Sequence, residues 1–264
     1  MAGPLAGIPP SGLGYYARDR IDAPFGPPRF VAVDFRRTDA ASMVRTAHSR
    51  GAETWLYATP EAWTPDAWRG TLPGILALAG GLGCAGIIAD PEGGWSRDAA
   101  DLGRALADAA GRTRVGLTSF PSWPGLASCV GAAGTAIWGS PQIYGRESQD
   151  GAAFAAWYRR WTDLMGARVV PSIAGWTSNP AMQTAEGFRT YLSRLPHAGG
   201  AIVWRGAGAM PQHIAEGLAG YEPGGSAIGT AVLAAGSAIT PRTVAIAALV
   251  LAVAAGAVFL YMRR

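Results

Sequence analysis

A chain of 264 residues, 49% of them hydrophobic, can fill one sizeable core and a short appendage but not two full-sized domains. All 22 basic residues are arginine, the formal net charge is only +4, and the arginines are scattered rather than gathered into a stripe. That pattern argues against nucleic acid as a partner. Cys84 and Cys129 lie in apolar runs and read as buried free thiols, since two such residues build neither a disulfide framework nor a metal site. His48, His197 and His213 are far apart in sequence, so no metal and no cofactor is expected.

Residues 1–28 are rich in Gly and Pro and lack the basic region followed by an apolar stretch that an export signal needs. They read as an N-terminal extension, with no cleavable signal expected. From Phe30 onward short apolar runs alternate with longer amphipathic ones. The strand candidates are Phe30–Phe35, Glu53–Tyr57, Ala85–Asp90, Arg114–Phe120, Thr135–Tyr144, Arg168–Ala174 and Gly200–Trp204. Helices are expected over Asp39–Arg50, Pro65–Gly81, Arg97–Ala110, Ser122–Ala133, Gly151–Gly166 and Met182–Leu195, with Pro211–Leu218 closing the series.

Continuous apolar strands joined by helices of ten or more residues imply a parallel sheet covered on both faces. Val33-Asp34-Phe35-Arg36-Arg37 stands where a doubly wound nucleotide-binding sheet would carry its Gly-rich loop. The expected fold over 29–221 is therefore an α/β parallel (β/α) barrel, incomplete by one strand. Glu222 to Ser226 begins a linker, 222–243, that includes the short apolar run 227–239. Residues 244–262 then run for about nineteen positions without a charge between Arg242 and Arg263-Arg264, the length a membrane-spanning helix needs. A single-pass membrane location near the C-terminus is expected.

Reactive groups in such a barrel gather at the C-terminal ends of the strands. There the sequence places Asp34 and, two residues apart, Asp90 and Glu92. An extended backbone points both members of the pair to one face, where mutual repulsion raises one pKa and prepares a general acid. Asp-Pro followed by Gly-Gly is equally a turn signal, and acids near a helix start also serve as caps. Tyr57, Trp95, Trp123, Gln142, Tyr144, Trp176 and Trp204 recur at the same end, as flat rings and an amide suited to sugar faces.

These residues carry a resemblance. Val33-Asp34, Asp90-Pro91-Glu92, Val115 to Ser119 with Trp123, and Ile137-Trp138 leading to Gln142-Ile143-Tyr144 resemble the barrel-type muramidases of glycoside hydrolase family 25. They also resemble related barrel domains of unknown activity in bacteriophage and bacterial proteins. The resemblance implies that Glu92 is the proton donor, that Asp90 stabilises charge at the anomeric centre or the acetamido oxygen, and that Asp34 assists. The Asp-x-Glu pair, Gln142-x-Tyr144 and Trp204 are similar as well to family 18 chitinases, in which the substrate's own acetamide is the nucleophile. Both resemblances imply a polysaccharide of N-acetylated aminosugars as substrate.

Two departures stand out. Val203-Trp204-Arg205-Gly206 replaces the further acid of the muramidases, and Gly86-Ile87-Ile88-Ala89 replaces the acids that precede the pair in chitinases. The expected activity is a membrane-anchored hydrolase of peptidoglycan or a related polymer. The alternatives are an inactive glycan-binding or structural barrel, for instance on a phage particle, and a membrane-delivery component built on the C-terminal segment.

Overall fold

The computed structural model describes residues 7–17, 21, 28–92, 98–143, 151–174, 184–193, 199–204, 210–221 and 223. Eight strands form one sheet: β1 (Gly12–Ala17), β2 (Phe30–Asp34), β3 (Glu53–Tyr57), β4 (Gly86–Ala89), β5 (Arg114–Ser119), β6 (Trp138–Pro141), β7 (Ser172–Ala174) and β8 (Gly200–Trp204). Their order is β6-β5-β4-β3-β2-β1-β8-β7, and every neighbouring pair is parallel. A bridge between Gly139 and Val169 then joins the two outer members, so the sheet closes into a barrel.

The barrel has the strand that the sequence reading lacks. It lies at Gly12–Ala17, inside the stretch 1–28 read as an extension, and it pairs with β2 on one side and β8 on the other. Glycine is depleted in strands, which is why Gly12 and Gly14 conceal it. At Gly14 a side chain is excluded, because a Cβ there would enter the ring of Phe30.

Helices α1 (Ala40–Ser49), α2 (Trp68–Leu82), α3 (Ala99–Ala110), α4 (Leu126–Ala133), α5 (Gly151–Met165), α6 (Ala185–Leu192) and α7 (Gln212–Leu218) follow successive strands from β2 onward. Each presents an apolar stripe to the sheet: α1 buries Ala40, Met43, Val44 and Ala47, the spacing of one helical face. The α2 helix stops at Gly83, whose φ of 67° is the left-handed conformation that glycine supplies at a C-cap. At Gly103 on α3 a Cβ would strike the Cys129 carbonyl of α4, so the missing side chain sets how closely these helices approach.

Apolar side chains accordingly fall into two clusters, an outer one between sheet and helices and an inner one within the barrel. The inner cluster comprises Tyr16, Phe30, Ala32, Trp55, Tyr57, Ile88, Trp138, Val170 and Ile202. Large rings face glycines across it: a Cβ at Gly86 would meet Trp55, and one at Gly116 would meet Trp138. Alternating large and small residues is how a small barrel fills its tapered interior.

The chain divides into two units, Met1–Gly224 and Gly225–Arg264. Among the described residues no helix is long and apolar enough to cross a membrane. The expected span 244–262 lies outside the described residues, as does the run 227–239.

Candidate active site

The strand ends converge as the alternation of side chains requires. Phe30 and Ala32 face the barrel interior, so Asp34 does too; Ile88 faces it, and Asp90 follows one pleat later. Asp90 is 1% exposed. Its Oδ1 accepts a hydrogen bond of 2.7 Å from Nε2 of Gln142, which extends β6 at the same end. Glu92 lies two residues beyond Asp90 and is half-buried.

Burial, first, and then the negative charge of Glu92 push the Asp90 carboxyl well above the usual carboxylate range, with a further push from Glu61. The Gln142 hydrogen bond opposes this by favouring the anion. Glu92 is raised as well, chiefly by burial and also by Glu61, again against the Gln142 amide. The pair therefore keeps a proton to higher pH than an exposed carboxylate does. Below it, burial and the nearby Asp90 raise the Tyr16 hydroxyl, which also has Thr118 and Tyr57 as neighbours.

The interior rings support this cluster. Tyr16 meets Tyr57 edge-on at 5.0 Å and Trp204 at 4.8 Å, and Trp204 is only half-buried. Tyr57 and Trp204 thus pack with Tyr16 toward the mouth. Tyr16 is a site residue that sequence reasoning missed, because its strand was missed.

Asp34 takes a different role from that of a third acid beside the pair. Its Oδ1 accepts a 3.1 Å hydrogen bond from the Arg36 backbone N–H and lies 3.7 Å from Arg36 Nε. The Arg36 guanidinium also donates to Thr59 and lies 3.7 Å from Glu61, whose Oε2 accepts from the Thr59 hydroxyl. A polar ridge, Asp34–Arg36–Thr59–Glu61, therefore runs along the mouth over β2 and β3. Asp34 and Tyr57 pair at the ends of β2 and β3, so Arg36 and Thr59, just beyond them, come within reach of each other. Nothing in the sequence around Glu61 marks it out; the 3-10 turn Pro60–Trp63 after β3 brings it to the mouth.

Trp123 is a correction. It is 1% exposed and belongs to the outer cluster, packed where Gly125 and Ala99 meet, so it is core rather than a sugar platform. Trp95, Tyr144 and Trp176 lie outside the described residues. Among the described residues no group of three or more His, Cys, Asp or Glu side chains could hold a metal ion. Cys129 is buried, which pushes its thiol up to about 12, and Cys84 is partly buried; both are free thiols.

The sequence matches no protein-family model and no curated protein sequence. The fold does match solved structures. A family 18 chitinase from Pseudoalteromonas aurantia superposes with a TM-score of 0.60 at 13% identity, covering 78% of this chain and 98% of the chitinase. An endo-β-N-acetylglucosaminidase from Cordyceps militaris gives 0.56 at 14%, covering 81% and 90%. The spore cortex-lytic enzyme SleL of Bacillus cereus gives 0.55 at 12%, covering 78% and 74%. At such identities the likeness shows the fold alone, a parallel (β/α) barrel. It does not single out family 25, the first of the two resemblances.

Proposed function

We propose that this chain is a glycoside hydrolase of N-acetylated aminosugar polymers, chitin or peptidoglycan-like, with Glu92 as the acid. The observation that carries the reading is the Asp90–Glu92 pair at the C-terminal mouth, both carboxyls raised and both in reach of the Gln142 amide. Neighbours of the same fold that are named as chitinases, an aminosugar glycosidase and a cortex-lytic enzyme agree with it.

In the chemistry that fits, the protonated Glu92 gives its proton to the glycosidic oxygen as the C1–O bond breaks and the electron pair leaves with that oxygen. The acetamido oxygen of the same sugar bonds to C1, and the Asp90 carboxylate accepts the acetamide N–H, holding it for attack. Water then attacks C1 as the bond from C1 to the acetamido oxygen breaks and the acetamide re-forms, the Glu92 carboxylate takes the proton of that water, and the pair returns to its starting state. Gln142 keeps Asp90 in place throughout, and the rings of Tyr57 and Trp204 line the floor.

Glu92→Gln, assayed on chitooligosaccharides and on peptidoglycan, should lose roughly 10²–10⁴-fold in rate. Cleavage equal to that of the parent removes Glu92 from the mechanism. A second reading, a glycan-binding barrel without activity, is favoured by the apolar Ile88 directly below Asp90, where chitinase-like signatures carry an acid. A parent chain that binds these polymers and cleaves none of them would establish it.

We further propose that 244–262 tethers the barrel to a membrane. The full chain should remain with the lipid after alkaline washing, and a chain ending at Gly224 should not; full release of both counts against the tether.

A further inference from the structure

One aromatic ring at the mouth has no place in the scheme above. Phe120 directly follows β5, and the strand registers fix its neighbours. Ala89 pairs with Leu117, and the Ser119 hydroxyl donates to the Pro91 carbonyl, so the next residue along β5 stands beside Glu92. On the other side Ser119 pairs with Pro141, and the Gln142 N–H donates to the Ser119 carbonyl at 2.9 Å, which puts the same residue beside Gln142. Phe120 thus sits between the acid and the amide that steadies its partner.

Alternation gives its direction. Gly116, backed by the Trp138 indole, and Thr118, beside Tyr16, face the interior, and Phe120 continues that row. Thr118 is 1% exposed, whereas Phe120 is 47% exposed, so the row opens to solvent at the level of Glu92. The other large hydrophobics exposed among the described residues lie elsewhere: Ile8 at the opposite end of the barrel, where its carbonyl accepts from Arg114, and Leu164 on α5.

The backbone under the ring is stiff. Phe120 precedes the buried Pro121, which restricts it to extended conformations. The Trp123 N–H closes a turn onto the Phe120 carbonyl at 3.0 Å, and the Trp123 ring is sunk in the outer core. The tryptophan that sequence reading assigned to substrate is therefore the anchor of the turn that presents a phenylalanine.

We propose that Phe120 is a stacking platform for a pyranose ring adjoining the bond that Glu92 protonates, a binding role that rests on the hydrolase reading above. The C–H face of an N-acetylated aminosugar covers the exposed ring, and no rotation of the pinned turn is needed beforehand, so little ordering is lost on binding.

The test uses the full chain carrying Glu92→Gln, which leaves the ligand uncut, and a hexamer of N-acetylglucosamine or a soluble peptidoglycan glycan strand as probe in calorimetry. Adding Phe120→Ala should weaken binding of the better probe roughly tenfold, and Phe120→Trp should restore it. Thermal melting should be unchanged in both, since the ring is exposed. In the active chain Phe120→Ala should raise KM for the hexamer by more than it lowers kcat. Equal affinity of the Phe120→Ala and Glu92→Gln chains overturns the platform, as does a Glu92→Gln chain that binds neither probe. Cleavage that survives Glu92→Gln strikes the hydrolase reading instead, so the two failures are distinguishable.

Discussion

At its N-terminal end the barrel interior holds Trp55, Trp138 and Phe30, with Trp55 and Trp138 meeting edge-on at 5.3 Å. The charges there are matched: Arg114 pairs with Glu53 at 2.8 Å, lies 4.6 Å over the Trp55 ring and donates to the Ile8 carbonyl, while Trp55 Nε1 donates to Glu53. The opposite end gathers Asp34, Glu61, Asp90 and Glu92. Among the described ion pairs, Arg36 reaches Asp34 and Glu61 but neither member of the Asp90–Glu92 pair. One end is packed and neutralised, as a stability core requires; the other keeps the Asp90–Glu92 pair with no matching cation among the described residues, an arrangement that costs stability and sets reactivity.

The largest effect belongs to the packed end. Trp55→Ala should cost about 3–5 kcal/mol in denaturant unfolding, because it removes a fully buried ring packed over Gly86 and against the Trp138 edge. A loss under about 1 kcal/mol would show that the contrast between the ends is overdrawn.

Asp90→Asn should act in the opposite direction, and with a pH dependence. The Asp90 carboxyl is raised in the folded state, so between its ordinary value and its folded value the native chain holds a proton that the unfolded chain has released. Stability of the parent therefore falls as pH rises through that window, and stays reduced above it. Asn keeps an oxygen for the Gln142 donor and carries no charge, so the variant should melt higher than the parent at neutral pH and no differently at low pH. Melting curves that run parallel at all pH values would contradict this, whatever the variant does to cleavage.

The smallest effect sharpens the comparison at the rim. Glu61 raises Glu92, so in Glu61→Gln the acid should lose its proton at lower pH and the basic limb of the rate profile should move the same way. The Glu61 side chain is 75% exposed, so the shift should be small and should shrink further with added salt. A limb that stays fixed at low salt removes Glu61 from the electrostatics of the site.

Much of this was legible in the sequence because the relevant forces are local. Strands buried on both faces must be apolar throughout, and Glu53–Tyr57 and Gly200–Trp204 have the bounds read from that rule alone. The Asp90–Glu92 pair and Gln142 followed from knowing which strand ends share a mouth. Long-range packing was not legible. Gly12–Ala17 reads as a loop until Phe30 is seen to need the space above Gly14. Trp123 and Phe120 sit three residues apart in one aromatic-rich segment, and only burial against α3 and α4 tells the anchor from the exposed ring. Glu61 joins the site through the turn that follows β3 and its contacts with Arg36 and Thr59, information no short motif contains.

The junction of β6 with β7 has its own consequence. Seven strand pairs carry continuous ladders, but this one is held by the Gly139–Val169 bridge, the Val170 N–H on the Gly139 carbonyl, and the 2.7 Å contact between the Ser140 and Ser172 hydroxyls. Hydrogen exchange in a cylinder fastened so thinly along one line should start at that line rather than around the circumference. Gln142 stands two residues past Ser140, so each opening would tug at the amide that Asp90 leans on. The steadiness of the acids is thereby tied to two serines and a tyrosine, Tyr158, whose hydroxyl braces the Val169 carbonyl from α5.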